Sequence, residues 1–173
     1  MGAIRHIKKI LVSLDLTDID AHVINYASVV SRIFEIERVY FVHAIQAYDL
    51  ERKGKKLDDI RRSLIDTIHN EIDDTINRQF NESTQTKVIT KIEEEDASQG
   101  VLEVISQEKV DLTLLGQKYG ENREVKYAKK IASKAQSDLL FIPEESPGKI
   151  QHILCAVDFS KESEQAFQKS LEM

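Results

Sequence analysis

The sequence predicts an α/β domain: a five-stranded parallel sheet with helices on both faces, in the order βαβαβαβαβ. Three observations lead there. Short apolar runs alternate with amphipathic stretches along residues 1–143, and the connections between them are brief. The apolar runs read as strands covered on both faces, which is the signature of a parallel sheet. Alternation of this kind implies right-handed crossovers between neighbouring parallel strands.

The first strand ends the run Ile10, Leu11, Val12, Leu14, and Asp15 stops it. Thr17 reads as the N-cap of the following helix, with Asp20 three residues on completing a capping box. That helix carries Ile19, Val23, Ile24, Ala27, Val30, Ile33 and Phe34 at the spacing of one buried face. A second strand comes next over Arg38–Ala44, rich in β-branched and aromatic residues. The longest helix runs from Leu57 to Phe80, with Ile60, Leu64, Ile68, Ile72, Ile76 and Phe80 every fourth residue. Such a stripe drifts about 40° per step, so one end overhangs the sheet and is free to meet a partner subunit.

Thr86–Ile92 is a less apolar strand, expected near an edge. The acidic run Glu93-Glu94-Glu95-Asp96 reads as a solvated loop in which Asp96 or Ser98 caps the next helix, Ser98–Glu108. Val110–Leu115 is a strongly apolar strand, and Gly116-Gln117-Lys118-Tyr119-Gly120 reads as a loop. A helix over Asn122–Gln136 places Val125, Ala128, Ala132 and Ala135 inward, and Asp138–Pro143 is the last strand.

Residues 144–149, with Pro147 and Gly148, have linker composition. Beyond them the opening of the chain is repeated: Ile153-Leu154-Cys155-Ala156-Val157-Asp158-Phe159-Ser160 lies over Ile10-Leu11-Val12-Ser13-Leu14-Asp15-Leu16-Thr17 without a gap. One strand and one helix cannot bury their own apolar faces, so 150–173 is expected to be the first strand and helix of a second, truncated copy. Its strand, Ile153–Val157, is expected to pair with a sheet edge or with another molecule.

The chain of 173 residues suits one domain with a full core, and 41% hydrophobic with 31% charged residues is an ordinary globular composition. A formal charge of −6 argues against a nucleic-acid surface, and the basic knot Arg52, Lys53, Lys55, Lys56 reads as a solvated loop. The single cysteine, Cys155, rules out an internal disulfide and reads as a small buried hydrophobe. No stretch reads as a signal peptide or a membrane span, so a cytoplasmic location is expected.

A carboxylate at the end of a buried parallel strand, as at Asp15, stands where open α/β sheets bind ligands. His43 ends the neighbouring strand, but no third ligand or nucleophile has a defined place beside the pair, so the simpler reading is a satisfied histidine. His6, His22, His69 and His152 lack metal spacing. A phosphorelay receiver domain shares the alternation but needs an acidic pair after the first strand and a lysine after the fifth, and neither is present.

The order and spacing of these segments resemble the universal stress protein family. The resemblance rests on Ile10–Asp15 with its helix, on Val39–Val42, on Val101-Leu102 through Val110–Gly116, and on Ala135–Pro143. It covers residues 4–143 as a whole domain and 150–173 as the start of a second. It implies an adenine nucleotide α-hydrolase-like, Rossmann-like fold and a homodimer, or a pseudo-dimer with a second domain, through the last strand. Its ATP-binding members carry Gly-x-x-Gly, nine residues, then Gly-Ser or Gly-Thr. Here Gly116 matches the first position, Tyr119 stands at the second with Gly120 one place late, and Val125-Lys126 replaces the final pair. Glycine-lined amides at a helix N-terminus are what a triphosphate needs, whereas Glu121 and Glu124 would repel it. The resemblance therefore implies a regulatory or scaffold domain in stress response with a degenerate ATP loop, no expected cofactor and no catalytic role. The alternative is an ATP- and Mg-binding, slowly hydrolysing switch, with Asp15, Val42, Gly116 and Gly120 as the nucleotide-binding residues.

Overall fold

A computed structural model describes residues 6–44, 57–80, 86–93, 96–118, 122–145 and 151–171. The elements are β1 (Lys9–Leu14), α1 (Ile19–Phe34), β2 (Arg38–Ala44), α2 (Leu57–Gln79), β3 (Lys87–Glu93), α3 (Ala97–Glu108), β4 (Leu112–Gln117), α4 (Asn122–Lys134), β5 (Asp138–Pro143) and α5 (Lys161–Ser170). Five strands form one sheet in the order β3-β2-β1-β4-β5. Every pairing is parallel. The chain steps outward from β1 to β3, crosses back, and steps outward again from β4 to β5. Right-handed crossovers then put α1 and α2 on one face, α3 and α4 on the other.

Alternation along β1 divides the core. Ile10, Val12 and Leu14 join Val23, Ile24, Val39, Phe41, Ile72 and Leu114 beneath α1 and α2. Leu11 joins Tyr40, Val42, Val104, Ile105, Leu115 and Ile131 beneath α3 and α4. The α2 stripe buries Ile68, Ile72, Ile76 and Phe80. Phe80 meets the Phe41 ring edge-on at 5.8 Å. The side chains of Ile60 and Leu64 lie outside the described residues, and with them the expected overhang. β3 is the edge strand its weaker pattern suggested, with no residue fully buried.

Four expectations need correction. β4 starts at Leu112, two residues late, because Asp111 Oδ2 accepts the Lys8 and Lys9 amides at 3.0 Å and so belongs to the connection. Gly116 and Gln117 are strand, paired with Ile142 and Pro143, rather than loop. Tyr127 and Ile131 of α4, with Ala135 just after it as expected, face inward; Ala128 is half-buried, Ala132 is exposed, and the Val125 side chain lies outside the described residues. The larger apolar surfaces of Tyr127 and Ile131 decide the rotation of that helix. Finally, 151–158 forms no strand, and no ladder joins it to the five-stranded sheet. Ile153 is 45% exposed and Leu154 99%, whereas their counterparts Ile10 and Leu11 are fully buried.

Candidate functional site at the switch point

Between β1 and β4 the order of the strands reverses direction, and the crevice beyond their carboxyl ends is where open α/β sheets place ligands. Asp15 leaves β1 there, and Lys118 leaves β4. Lys118 Nζ lies 3.8 Å from Asp15 Oδ2, so an ion pair bridges the crevice, with the lysine side chain 20% and the aspartate 51% exposed.

The β1–α1 turn is built differently from a capping box. The N-cap is Asp18, which makes no side-chain cap bond. Thr17 instead turns back, donating from its amide (3.1 Å) and hydroxyl (2.5 Å) to Asp15 Oδ1. Leu16 takes φ 60°, an uncommon conformation for a residue with a Cβ. Asp20 holds that conformation: its carboxylate accepts the Asp15 amide at 3.2 Å and the Leu16 amide at 2.8 Å. Asp20 is 8% exposed. Burial, and then the Asp15 charge, push its carboxyl up to about 7, while the two amide donors pull the other way. A groove of about 450 Å³ between α1 and α2 reaches it, with Asp18, Glu71, Asp74 and Arg78 along the wall.

Val42 is fully buried in β2 opposite Ser13, and its side chain belongs to the α3–α4 core. Gly116 sits where α1 presses on the sheet. A Cβ there would lie 3.2 Å from two Ile19 methyl carbons and 3.3 Å from Val23 Cγ2, so glycine permits the close approach of this helix. Gly120 lies outside the described residues. His43 is the satisfied residue expected of it: Nδ1 is 3.0 Å from the Leu14 carbonyl, and since a carbonyl only accepts, Nδ1 carries the proton. Burial holds its pKa below the usual histidine range.

Two further parts of the edge join residues far apart in sequence. Tyr127 Oη and Ser13 Oγ are hydrogen-bonded at 2.8 Å across β1 and α4, and burial raises the phenol to about 12. The one sequence-level trace of this contact is the hydroxyl of Ser13, which interrupts an apolar strand. At the start of α3, Asp96 caps through the Ser98 amide and hydroxyl and also pairs with Lys130 at 2.9 Å. The Ser98 hydrogen bond, then Lys130, lowers the Asp96 carboxyl to about 2. Among the described residues no group of three His, Cys, Asp or Glu side chains is arranged to hold a metal ion, and no helix is long and apolar enough to cross a membrane.

The tail builds the same turn a second time. Phe159 has φ 63°, as Leu16 has 60°. Asp158 Oδ1 accepts the Ser160 amide at 3.0 Å, as Asp15 accepts that of Thr17. The Asp158 amide donates to a side chain five residues on, Ser163 Oγ at 3.4 Å, as Asp15 donates to Asp20. Serine therefore stands where the first copy has a carboxylate.

No protein-family model and no curated protein sequence matches the chain. Solved structures do. A universal stress protein in complex with cAMP is 12% identical with TM-score 0.60, covering 82% of this chain and 100% of that one. The universal stress protein UspA from Lactobacillus plantarum is 18% identical with TM-score 0.61, covering 80% and 99%. A universal stress protein from Archaeoglobus fulgidus DSM 4304 is 13% identical with TM-score 0.65; the match takes in 95% of this chain and 60% of that longer one. With its five parallel strands in the order 3-2-1-4-5, the chain has the Rossmann-like α/β fold of the universal stress proteins.

Proposed function

We propose that residues 1–143 are a universal-stress-type regulatory or scaffold domain that holds no nucleotide tightly. The observation that carries this reading is the ion pair between Asp15 and Lys118, which spans the switch point with the protein's own charges. The sequence supports it: Glu121 and Glu124 flank the start of α4, and Val125-Lys126 stands where ATP-binding members have glycine and a hydroxyl residue. Gly116 is accounted for by helix packing alone. The domain acts in this reading through assembly with a second copy or a second unit at the open β5 edge, in the cytoplasm, without catalysis. The repeated turn at Asp158, and a match to a longer chain that extends over 95% of this one, support 150–173 as the start of that second unit.

The alternative, a slowly hydrolysing ATP switch around Asp15, Val42, Gly116 and Gly120, draws on the cAMP complex of a protein of like fold. Isothermal titration of ATP with Mg²⁺ into the full chain separates the two. The scaffold reading expects no saturable heat; micromolar binding abolished by Asp15→Ala establishes the switch instead.

A further inference from the structure

We propose that the Asp20 carboxylate is a built-in occupant of the β1–α1 turn that closes this sheet edge to phosphate-bearing ligands. The inference deepens the scaffold reading above and rests on it: it names the residue that sets the preference. Asp20 already takes the two amides, of Asp15 and Leu16, that the turn directs to its helix side. It also places a second carboxylate beside Asp15. Lys118 is the cation that faces Asp15 across the crevice, and Arg78 lies in the groove with Asp18, Glu71 and Asp74. Among these described residues acids outnumber bases, and an anionic group arriving there meets net repulsion with the Asp15 and Leu16 amides already taken.

The tail supplies the internal comparison. The same backbone turn, with the same positive φ and the same Asp–hydroxyl residue pair, forms around Asp158 with Ser163 at the fifth position. A carboxylate is therefore not needed to build this turn. Asp20 differs from Ser163 in its charge and in taking a second amide, that of Leu16, and Ser163 defines a neutral side chain with which the turn still forms.

The test titrates AMP, and adenosine as its neutral counterpart, into the wild-type chain, Asp20→Ser and Asp20→Asn at pH 8, above the raised Asp20 value of about 7. Thermal melting checks that each variant is folded, and Asp20→Asn, whose single amide oxygen still accepts one of the two turn amides, is the second neutral variant should the serine one not fold. Removing the charge is expected to raise AMP affinity at least about tenfold and leave adenosine affinity unchanged. Equal gains for AMP and adenosine overturn the inference, because they report a change of shape and not of charge. Variants as silent toward AMP as a silent wild type overturn it too, while leaving the scaffold reading intact. Micromolar AMP binding by the wild type overturns both.

Discussion

Replacing Gly116 by valine tests whether this glycine serves packing. An alanine Cβ at this point lies 3.2 Å from Ile19 Cδ1 and Cγ2 and 3.3 Å from Val23 Cγ2, a few tenths of an ångström too close. Substituting a strand glycine recovers about 0.5–1 kcal/mol of backbone entropy. Overpacking costs about 1–3 kcal/mol. Gly116→Ala is therefore expected to lose about 0–2 kcal/mol. Gly116→Val adds two more methyl groups to a filled space and should lose about 3 kcal/mol. Ile19, 6% exposed, is the neighbour with a side chain long enough to vacate room. Ile19→Ala alone costs about 2–5 kcal/mol, but in the double variant the valine methyls occupy the vacated space. The double variant should then be more stable than the sum of the two losses by about 1–2 kcal/mol. Urea unfolding followed by circular dichroism measures all five proteins. A Gly116→Val variant as stable as the wild type, or strict additivity with Ile19→Ala, would refute the packing argument.

Three other outcomes are expected. The Asp20 carboxyl is raised to about 7 in the fold from 3.8, so the folded state keeps a proton that the unfolded chain has lost. This contribution to stability is full below pH 3.8 and disappears as pH rises to about 7, at most about 1.4 kcal/mol per pH unit. His43, lowered in the fold, has the opposite slope below pH 6.5 but is common to both proteins in a comparison of wild type with Asp20→Asn; a difference between their stabilities that is flat from pH 4 to 7 would contradict the shift. Asp96→Ala removes the α3 cap and should cost about 0.5–2 kcal/mol, the loss being smaller at high salt by no more than the ~0.2–1 kcal/mol that an exposed, screened pair such as Lys130–Asp96 contributes. Leu154 and Leu11 are repeat counterparts at 99% and 0% exposure, so Leu154→Ala should leave the melting curve unmoved while Leu11→Ala costs about 2–5 kcal/mol; a comparable loss at Leu154 would mean that the tail is docked.

The strands and helices were legible because their residues obey local rules. Ile10–Leu14, Val39–Val42 and Leu139–Ile142 are apolar runs, and the fourfold stripe of α2 identifies its length. Alternation then fixes parallel strands, and β3 announced itself as an edge through its weaker pattern. The errors arose where a side chain serves a distant partner. Asp111 reads as strand until its carboxylate is seen to hold the Lys8 and Lys9 amides. Asp20 has the spacing of a capping box, yet it binds amides before the helix begins. Gly116 invites a phosphate reading because a glycine at a strand end is the same letter whether a ligand or a helix approaches it. The Ser13–Tyr127 and Asp15–Lys118 contacts join separate βα units, and no periodicity within either unit encodes them. The tail shows the converse: its turn repeats faithfully from local hydrogen bonds, but its strand, which needs neighbours, does not form.

Native mass spectrometry of the freshly purified full chain, with mass analysis of any released small molecule, addresses the central claim most directly. The account predicts a protein mass without adduct, in a monomer or in an assembly, and an extract free of nucleotide. A stoichiometric adenine nucleotide retained by the wild type and lost in Asp15→Ala would contradict it.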